Sequence, residues 1–313
     1  MGGTKCAIIH GILSDGNIEF KSRISFPTGI DMPPSTVIEK IIVEIKKMNI
    51  TADAIGISCG GPLDSKKGII MSPPNLPLWD NIPICDILSK EFSIPCYLQN
   101  DADACALAEW QFCAGKGSEN MIFMTFGTGL GAGLILNGRL YTGKNGMAGE
   151  VGHIRLSDFG PSGYGKSGSF EGFCSGQGIA QIGYTLGFEA YQQGKKPLYF
   201  DPEDISKCTA KSIAQAAEKG DETALKVYKT SGEYLGKGLS LLIDILNPEK
   251  IVIGSVFARS KDLLWPSAKS IIEKEVLSFS REVCEVVPAG LDEKIGDYAT
   301  IAVAIYNGGI KNA

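Results

Sequence analysis

The sequence has little histidine: two in 313 residues, His10 and His153. The second lies in a loop rich in glycine and serine, Gly149 to Gly176, where a lone imidazole can hold a metal, hold a ligand or fill space. Runs of basic residues are missing, and 30 Lys and Arg against 35 Asp and Glu leave a net charge of −5. General affinity for nucleic acid needs basic groups to neutralise phosphates, so no nucleic-acid partner is expected. A single phosphorylated ligand stays open, because main-chain amides and a helix N-terminus bind phosphate without net positive charge. There is no C-x-x-C pair, and the nine cysteines are an odd number with none closer than Cys105 and Cys113. They read as reduced, mostly buried thiols of a cytosolic protein. Apolar runs long enough to cross a bilayer are also absent, as is a signal-peptide pattern, so no membrane partner is expected.

What is present is an ordinary globular composition, 44% hydrophobic, in a chain long for one core and comfortable for two lobes. Short apolar runs alternate with amphipathic stretches, the mark of a mixed α/β fold. "CAIIHGILSDGNIEFKSRISF" predicts a hairpin turning at Asp15-Gly16. Val37, Ile41, Ile42 and Ile45 recur at helical spacing. "IPCYLQ" reads as a strand that opens into the helix "NDADACALAEWQFCAG", and "MIFMTFGTGLGAGLILNGRLYTG" as strand, glycine turn and strand. Leu235, Leu239, Leu242 and Leu246 line one face of a long helix stopped by Asn247-Pro248. "IVIGSVFA" and "EVVPAG" are buried-type strands, and "GDYATIAVAIYNGG" is a closing helix.

Four stretches carry candidate chemistry. In "MGGTK" the glycines let amides approach a phosphate and Thr4 adds a hydroxyl, although alone the pair reads as a tight turn. "FGTGLGAG" resembles a dinucleotide fingerprint but leads into a strand, which disfavours a Rossmann site. A glycine hairpin around a nucleotide phosphate and a plain hairpin turn both fit it. "QNDADA" puts Asn100 and Asp101 where a strand becomes a helix, as an N-cap or as a carboxylate placed for general-base work. "AGEVGH", with Glu150, His153 and the later Glu171, fits either a solvated loop or donors and acceptors for a polyhydroxy ligand.

Taken in order, six segments resemble the ROK family (repressors, uncharacterised frames and kinases). They are "MGGTK", "GISCGGPLD" with "SPPNLPLWDNIPI", "NDADACALAEW", "FGTGLGAGLILNG", "AGEVGH" and "PEKIVIGSVFA". The resemblance implies a two-lobed α/β fold of the actin-like ATPase and sugar-kinase (ribonuclease H-like) type with an interlobe cleft. One lobe would be residues 1–116 closed by a C-terminal helix at 296–313, the other residues 117–295. It implies ATP-dependent phosphorylation of a hexose at the 6-hydroxyl, with Asp101 taking the proton. Asn100, Glu150, His153, Glu171 and Asn75 would bind the sugar. Gly2, Gly3, Thr4, Lys5, Gly127, Thr128, Gly129, Gly254 and Ser255 would bind the nucleotide, with Mg²⁺ bridging its phosphates. A cytoplasmic homodimer is implied as well. The rival within the family is a sugar-binding protein without kinase activity, either a pseudokinase or a transcriptional regulator.

Two departures from the family pattern matter. Members commonly carry three cysteines after the Glu-x-Gly-His motif and bind a structural zinc with them and the histidine. Here those positions hold Ser162, Tyr164 and Ser169. Structural zinc needs four thiolate or imidazole ligands, so none is expected, and His153 becomes a sugar ligand without a metal. The loop is expected to be held by packing of Tyr164, Phe170 and Phe173. The other departure is at the start: the family's Asp-x-Gly-Gly-Thr-Lys closes a first strand, and this chain begins at the x. The expectation is that a strand ending in aspartate precedes it.

Overall fold

Asp15 and Gly16 both take left-handed backbone angles, φ 49° and 74°, as a two-residue hairpin turn of type I′ requires. They join β1 (Lys5–Ser14) to β2 (Asn17–Pro27), with Lys5 opposite Pro27 and Ser14 opposite Asn17. The computed structural model describes residues 1–310. The chain divides into two units: Met1–Gly117 with Gly133–Ala148 and Glu293–Ala313, and Ser118–Ala132 with Gly149–Asp292.

In the first unit the hairpin is followed by α1 (Pro34–Met48), whose Val37, Ile38 and Ile41 are buried as the helical spacing predicts. Then come β3 (Ile55–Cys59), the two-residue strands β4 (Leu63–Asp64) and β5 (Ile69–Ile70), α2 (Ile84–Phe92), β6 (Cys96–Asn100) and α3 (Asp101–Phe112). β3 and β6 run parallel, Ile55 opposite Cys96 and Cys59 opposite Asn100. β1–β2 and β3–β6 are separate two-stranded sheets among the described residues. Their core gathers Val37 and Ile41 from α1, Leu88 from α2, Leu98 from β6, and Trp79 from the preceding loop. Helix α3 is buried nearly all round by small residues, including Ala102, Ala104, Ala106 and Ala108.

In the second unit β7 (Met121–Phe126) is the centre of a sheet ordered β13–β12–β7–β8, with β12 (Lys250–Ile253) parallel to both β7 and β13 (Glu285–Pro288). β8 (Leu130–Leu136) leaves this unit at Ala132 and pairs with β9 (Arg139–Tyr141) in the first. Between β9 and β12 lie the short strands β10 (Ser162–Gly163) and β11 (Lys166–Ser167), then α4 (Phe170–Phe173), α5 (Gly176–Gln192), α6 (Ala210–Glu218) and α7 (Glu222–Leu246). After β12 come α8 (Val256–Glu275) and α9 (Ser278–Val283). Helix α7 ends at Asn247, whose φ of 43° is the left-handed cap that the Asn-Pro pair signals. Its Gly232 and Gly236 lie so close to α8 that a Cβ at either would fall within 2.6 Å of the Leu264 and Ala268 carbonyl oxygens, respectively.

The last helix, α10 (Ile295–Gly308), returns to the first unit. It presses on β3 so closely that a Cβ on Gly56 would meet the Thr300 carbonyl oxygen at 1.9 Å. The Leu140 N–H donates to Tyr306 Oη at 3.0 Å, which ties β9 to the same helix. The sequence reading places residues 133–148 with the second lobe, and here the structure differs. A Cβ on Gly133 would fall 2.6 Å from both the Ala102 carbonyl oxygen and Ala106 Cβ, so the outer part of β8 rests on α3. Such packing is long-range and leaves no local pattern.

Candidate functional site

The candidate residues fall into two groups, one in each unit. In the first, Gly2 donates its N–H to the Lys5 carbonyl at 3.2 Å. Thr28 latches this turn from β2's end: its Oγ1 donates to the Gly2 carbonyl at 2.6 Å and its N–H to Thr4 O at 3.0 Å. A Cβ on Gly3 would stand 2.4 Å from the Asn75 carbonyl oxygen, so glycine is needed there for close approach. Asn75 thus meets the turn through its carbonyl and its Cβ, and it is exposed, as are Thr4 and Lys5. The Met1 amine donates to the Ser58 carbonyl on β3, which sets the turn at the end of that strand.

Cys59 and Asn100 are partners at the ends of β3 and β6, and both strands finish in groups with chemical use. After Cys59 come Gly60 and Gly61. A Cβ on Gly60 would lie 3.9 Å from Asp101 Oδ2, and one on Gly61 would lie 3.2 Å from Asn100 Nδ2. Asn100 Oδ1 accepts the Ala102 N–H at 2.9 Å as the N-cap of α3, and Asp101 Oδ1 accepts the same N–H at 2.8 Å. Capping therefore engages Asn100, while Asp101 keeps Oδ2 toward the glycine pair. Protein crowds the Asp101 carboxyl although its outer side meets solvent, and this desolvation raises its pKa against the pull of the Ala102 amide. A raised pKa suits a proton acceptor.

In the second unit the hairpin between β7 and β8 can be accounted for amide by amide. Gly127 N–H donates to Gly129 O at 3.0 Å, Leu130 N–H to Glu171 Oε2 at 2.9 Å, and Gly131 N–H to Thr125 Oγ1 at 3.0 Å. The N–H groups of Thr128 and Gly129, at the tip, have no protein acceptor among the described residues. The Gly127 carbonyl accepts from Gly176 N–H at 2.7 Å, which fastens the hairpin to the start of α5. From the other side, Ser255 Oγ lies 3.7 Å from a Cβ position on Gly127. Ser255 follows Gly254 at the end of β12 with φ 55° and ψ −112°, a strained conformation for a residue with a side chain.

The "AGEVGH" motif packs on the first residues of β8. Ala132 N–H donates to Gly149 O at 2.9 Å, and a Cβ on Gly152 would lie 2.1 Å from the Leu130 carbonyl oxygen. Glu150 and His153 are exposed at the ends of one helical turn, with His153 N–H donating to Glu150 O at 3.1 Å. Lys166 Nζ donates to the His153 carbonyl at 2.7 Å.

The positions where the family pattern has cysteines do other work here. Ser162 exchanges two hydrogen bonds with the Gln181 amide of α5, at 2.9 and 2.8 Å. Ser169 caps α4 by accepting Gly172 N–H at 3.1 Å. Tyr164 is 79% exposed at the β10–β11 turn, with φ 44°. The packing expected of Tyr164 is therefore not made, because the turn aims its side chain outward. Phe170 and Phe173 are buried, and Phe173 stacks on Tyr234 with ring centroids 3.4 Å apart. Arg155 Nη1 completes the clasp on Ser167 O at 2.8 Å. Hydroxyls and an amide are not thiolates, and this donor set does not fit a structural zinc.

Thr28, Gly163 and Gln181 are not singled out by the sequence, which marks Gly60, Gly61 and Gly152 only as parts of longer motifs. The Gly-Gly at a strand end was a usable signal; Gln181 offers none, since only the fold brings it to Ser162.

The family model described as "ROK family" matches residues 1–304. The chain belongs to the ROK family. Among ROK relatives, a glucokinase of Halalkalibacterium halodurans is 37% identical over 230 residues, 72% of this chain and 68% of that protein. The DNA-binding transcriptional dual regulator NagC of Escherichia coli is 33% identical over 258 residues, 82% of this chain and 61% of NagC. The crystal structure of a ROK family glucokinase from Streptomyces griseus, in complex with glucose and AMPPNP, superposes with a TM-score of 0.76 at 26% identity. That superposition covers 99% of this chain and 98% of the other. The fold is thus the actin-like one shared by ROK kinases and regulators. Among the described residues no helix is long and apolar enough to cross a membrane.

Proposed function

We propose that this protein is an ATP-dependent hexose kinase. The observation that carries the reading is the division of labour at the start of α3: Asn100 caps the helix, and Asp101, its pKa raised by desolvation, turns Oδ2 toward Gly60. A residue needed only as a cap has no use for that arrangement. The 6-hydroxyl oxygen of the sugar attacks the γ-phosphorus as its proton passes to Asp101. The bond between the γ-phosphorus and the bridging oxygen breaks, and ADP leaves with that electron pair. Such transfer depends on positioning and on charge stabilisation.

Gly2, Gly3, Thr4 and Lys5 are proposed to bind phosphate, and so are Gly127, Thr128 and Gly129. The Thr128 and Gly129 amides, unused by protein, suit phosphate oxygens. Gly254 and Ser255 lie on the adenosine side. Asn100, Glu150, His153 and Glu171 are proposed to take sugar hydroxyls, with Asn75, which lies against Gly3, as a further candidate. Mg²⁺ bound with the nucleotide would neutralise phosphate charge, and the hard hydroxyl oxygen of Thr4 would suit such an ion, which leaves Asp101 to act as the base. The glucokinase relative and the glucose complex of a ROK glucokinase support a hexose as acceptor.

The second reading is a sugar-responsive regulator, favoured by the similarity to NagC. One experiment separates the two: ADP release from ATP and Mg²⁺ across a panel of hexoses, with Asp101→Asn alongside. Sugar-dependent turnover lost in the variant supports the kinase. Sugar binding without turnover in the wild-type protein overturns it in favour of the regulator.

A further inference from the structure

Glu171 is approached by glycines from three separate segments. A Cβ on Gly129 would lie 2.7 Å from Glu171 Oε2, one on Gly152 would lie 3.2 Å from Glu171 Cβ, and one on Gly163 would lie 2.7 Å from Glu171 Cβ and 2.8 Å from Cγ. Gly129 belongs to the hairpin between β7 and β8, Gly152 to the Glu150–His153 motif, and Gly163 to β10. None of the three has positive φ, and a Cβ on any of them would press on Glu171, although at Gly152 the Leu130 carbonyl oxygen lies closer still. Within that cradle Oε2 accepts the Leu130 N–H at 2.9 Å. Oε1 has no hydrogen-bond partner among the described residues.

We propose that Glu171 is a positioning residue for the nucleotide hairpin and couples it to sugar occupancy. The inference rests on the kinase reading and extends it, giving one carboxylate two tasks. By holding Leu130 N–H, Oε2 fixes the hairpin conformation in which the Thr128 and Gly129 amides stay unspent. A sugar hydroxyl donating to Oε1 holds the same rigid carboxylate from its other side. Each partner restricts rotamers that the other needs restricted, so each strengthens the other. Because coupling of binding free energies is reciprocal, sugar tightens nucleotide binding by the same factor as nucleotide tightens sugar binding. The three glycines stand close around the side chain, and their lack of Cβ is what lets Glu171 reach the Leu130 amide.

The test uses Glu171→Gln and Glu171→Ala in the full chain. AMPPNP with Mg²⁺ is titrated without sugar, then with the hexose that gave highest turnover in the panel, and hydrogen exchange is followed over residues 126–133. Glutamine keeps an oxygen for Leu130 N–H, so Glu171→Gln is expected to hold the sugar-free nucleotide affinity and the slow exchange of the hairpin. Glu171→Ala is expected to lose about 5-fold or more in sugar-free nucleotide affinity, to exchange its hairpin amides faster, and to lose the sugar-induced tightening. Unchanged nucleotide affinity in Glu171→Ala, with wild type binding nucleotide normally, overturns the inference alone. Equal loss in both variants overturns it too, since charge and not the hydrogen bond is then what matters. Failure of the wild-type protein to bind AMPPNP overturns the kinase reading itself and this inference with it.

Discussion

Asn100 and Asp101 share one donor: their Oδ1 atoms accept the Ala102 N–H at 2.9 and 2.8 Å, and only Asn100 stands at the N-cap position of α3. Two substitutions therefore separate stability from chemistry. Asn100→Ala removes the cap and is expected to cost about 0.5–2 kcal/mol of stability. Asp101→Asn leaves that cap in place and is expected to keep fold and sugar affinity while turnover falls by ~10²–10⁴-fold. Melting temperature, sugar affinity and kcat on the two proteins check this. Turnover of Asp101→Asn within a few-fold of wild type would remove Asp101 from the mechanism.

The raised pKa of Asp101 makes a second, pH-resolved expectation. A general base must be ionised, so kcat/KM should fall on acidification at a pH above that of an unperturbed aspartate, and Asp101→Asn should lack this limb. Stability runs the other way. Because the folded protein disfavours the ionised form, Asp101 weakens the fold at neutral pH, and this weakening fades as pH falls through its raised pKa. Asp101→Asn is thus expected to melt no lower than wild type at pH 7. Its margin over wild type should shrink in acid, and a lower melting temperature at pH 7 would contradict the desolvation argument.

Much of the fold could be read locally. The Asp15-Gly16 turn and the Asn247 stop carry their own conformational signals, and both stand where expected. The glycine hairpin after Phe126 and the strand-to-helix junction at Asn100 were equally visible. Other features depend on contacts that no short window contains. That Asp101 Oδ2 faces Gly60, and Asn100 Nδ2 Gly61, depends on the turn after β3, far away in sequence. Gly152 and Gly163 acquire meaning only once Glu171 lies between them. Tyr164 looked like packing material because aromatic residues usually are, yet a turn with φ 44° carries it into solvent. The two-residue strands β4, β5, β10 and β11 are too short for periodicity to register.

The clasp around Ser162 makes a metal-free loop the expectation. Elemental analysis of protein purified without added metal is expected to find no stoichiometric zinc, and about one zinc per chain would overturn the argument from its donors. Gln181→Ala deletes both hydrogen bonds to Ser162, at ~0.5–1.5 kcal/mol each. Faster hydrogen exchange confined to residues 156–169, with the chelator EDTA having no effect, is the expected outcome.

Ser255 offers a stabilising substitution. Its φ of 55° with ψ −112° strains any residue bearing a Cβ, and Ser255 makes no capping hydrogen bond for α8. Glycine relieves that strain at some entropic cost, so Ser255→Gly is expected to gain about 1 kcal/mol. Thermal unfolding checks it, and a loss of stability would mean that the hydroxyl near Gly127 matters more than the backbone.

The return of α10 to the first unit has a consequence in time. Synthesis on the ribosome delivers every segment of Ser118–Ala132 and Gly149–Asp292 before the helix at Ile295–Gly308 emerges. The second unit can therefore complete itself while the chain is still growing. The first must wait, with Gly56 uncovered and the Leu140 amide without Tyr306, until translation has passed them both. Segments held open in this way are where chaperones act and where aggregation starts. For a cell making this protein, the vulnerable interval is the long one between the first strand and the last helix.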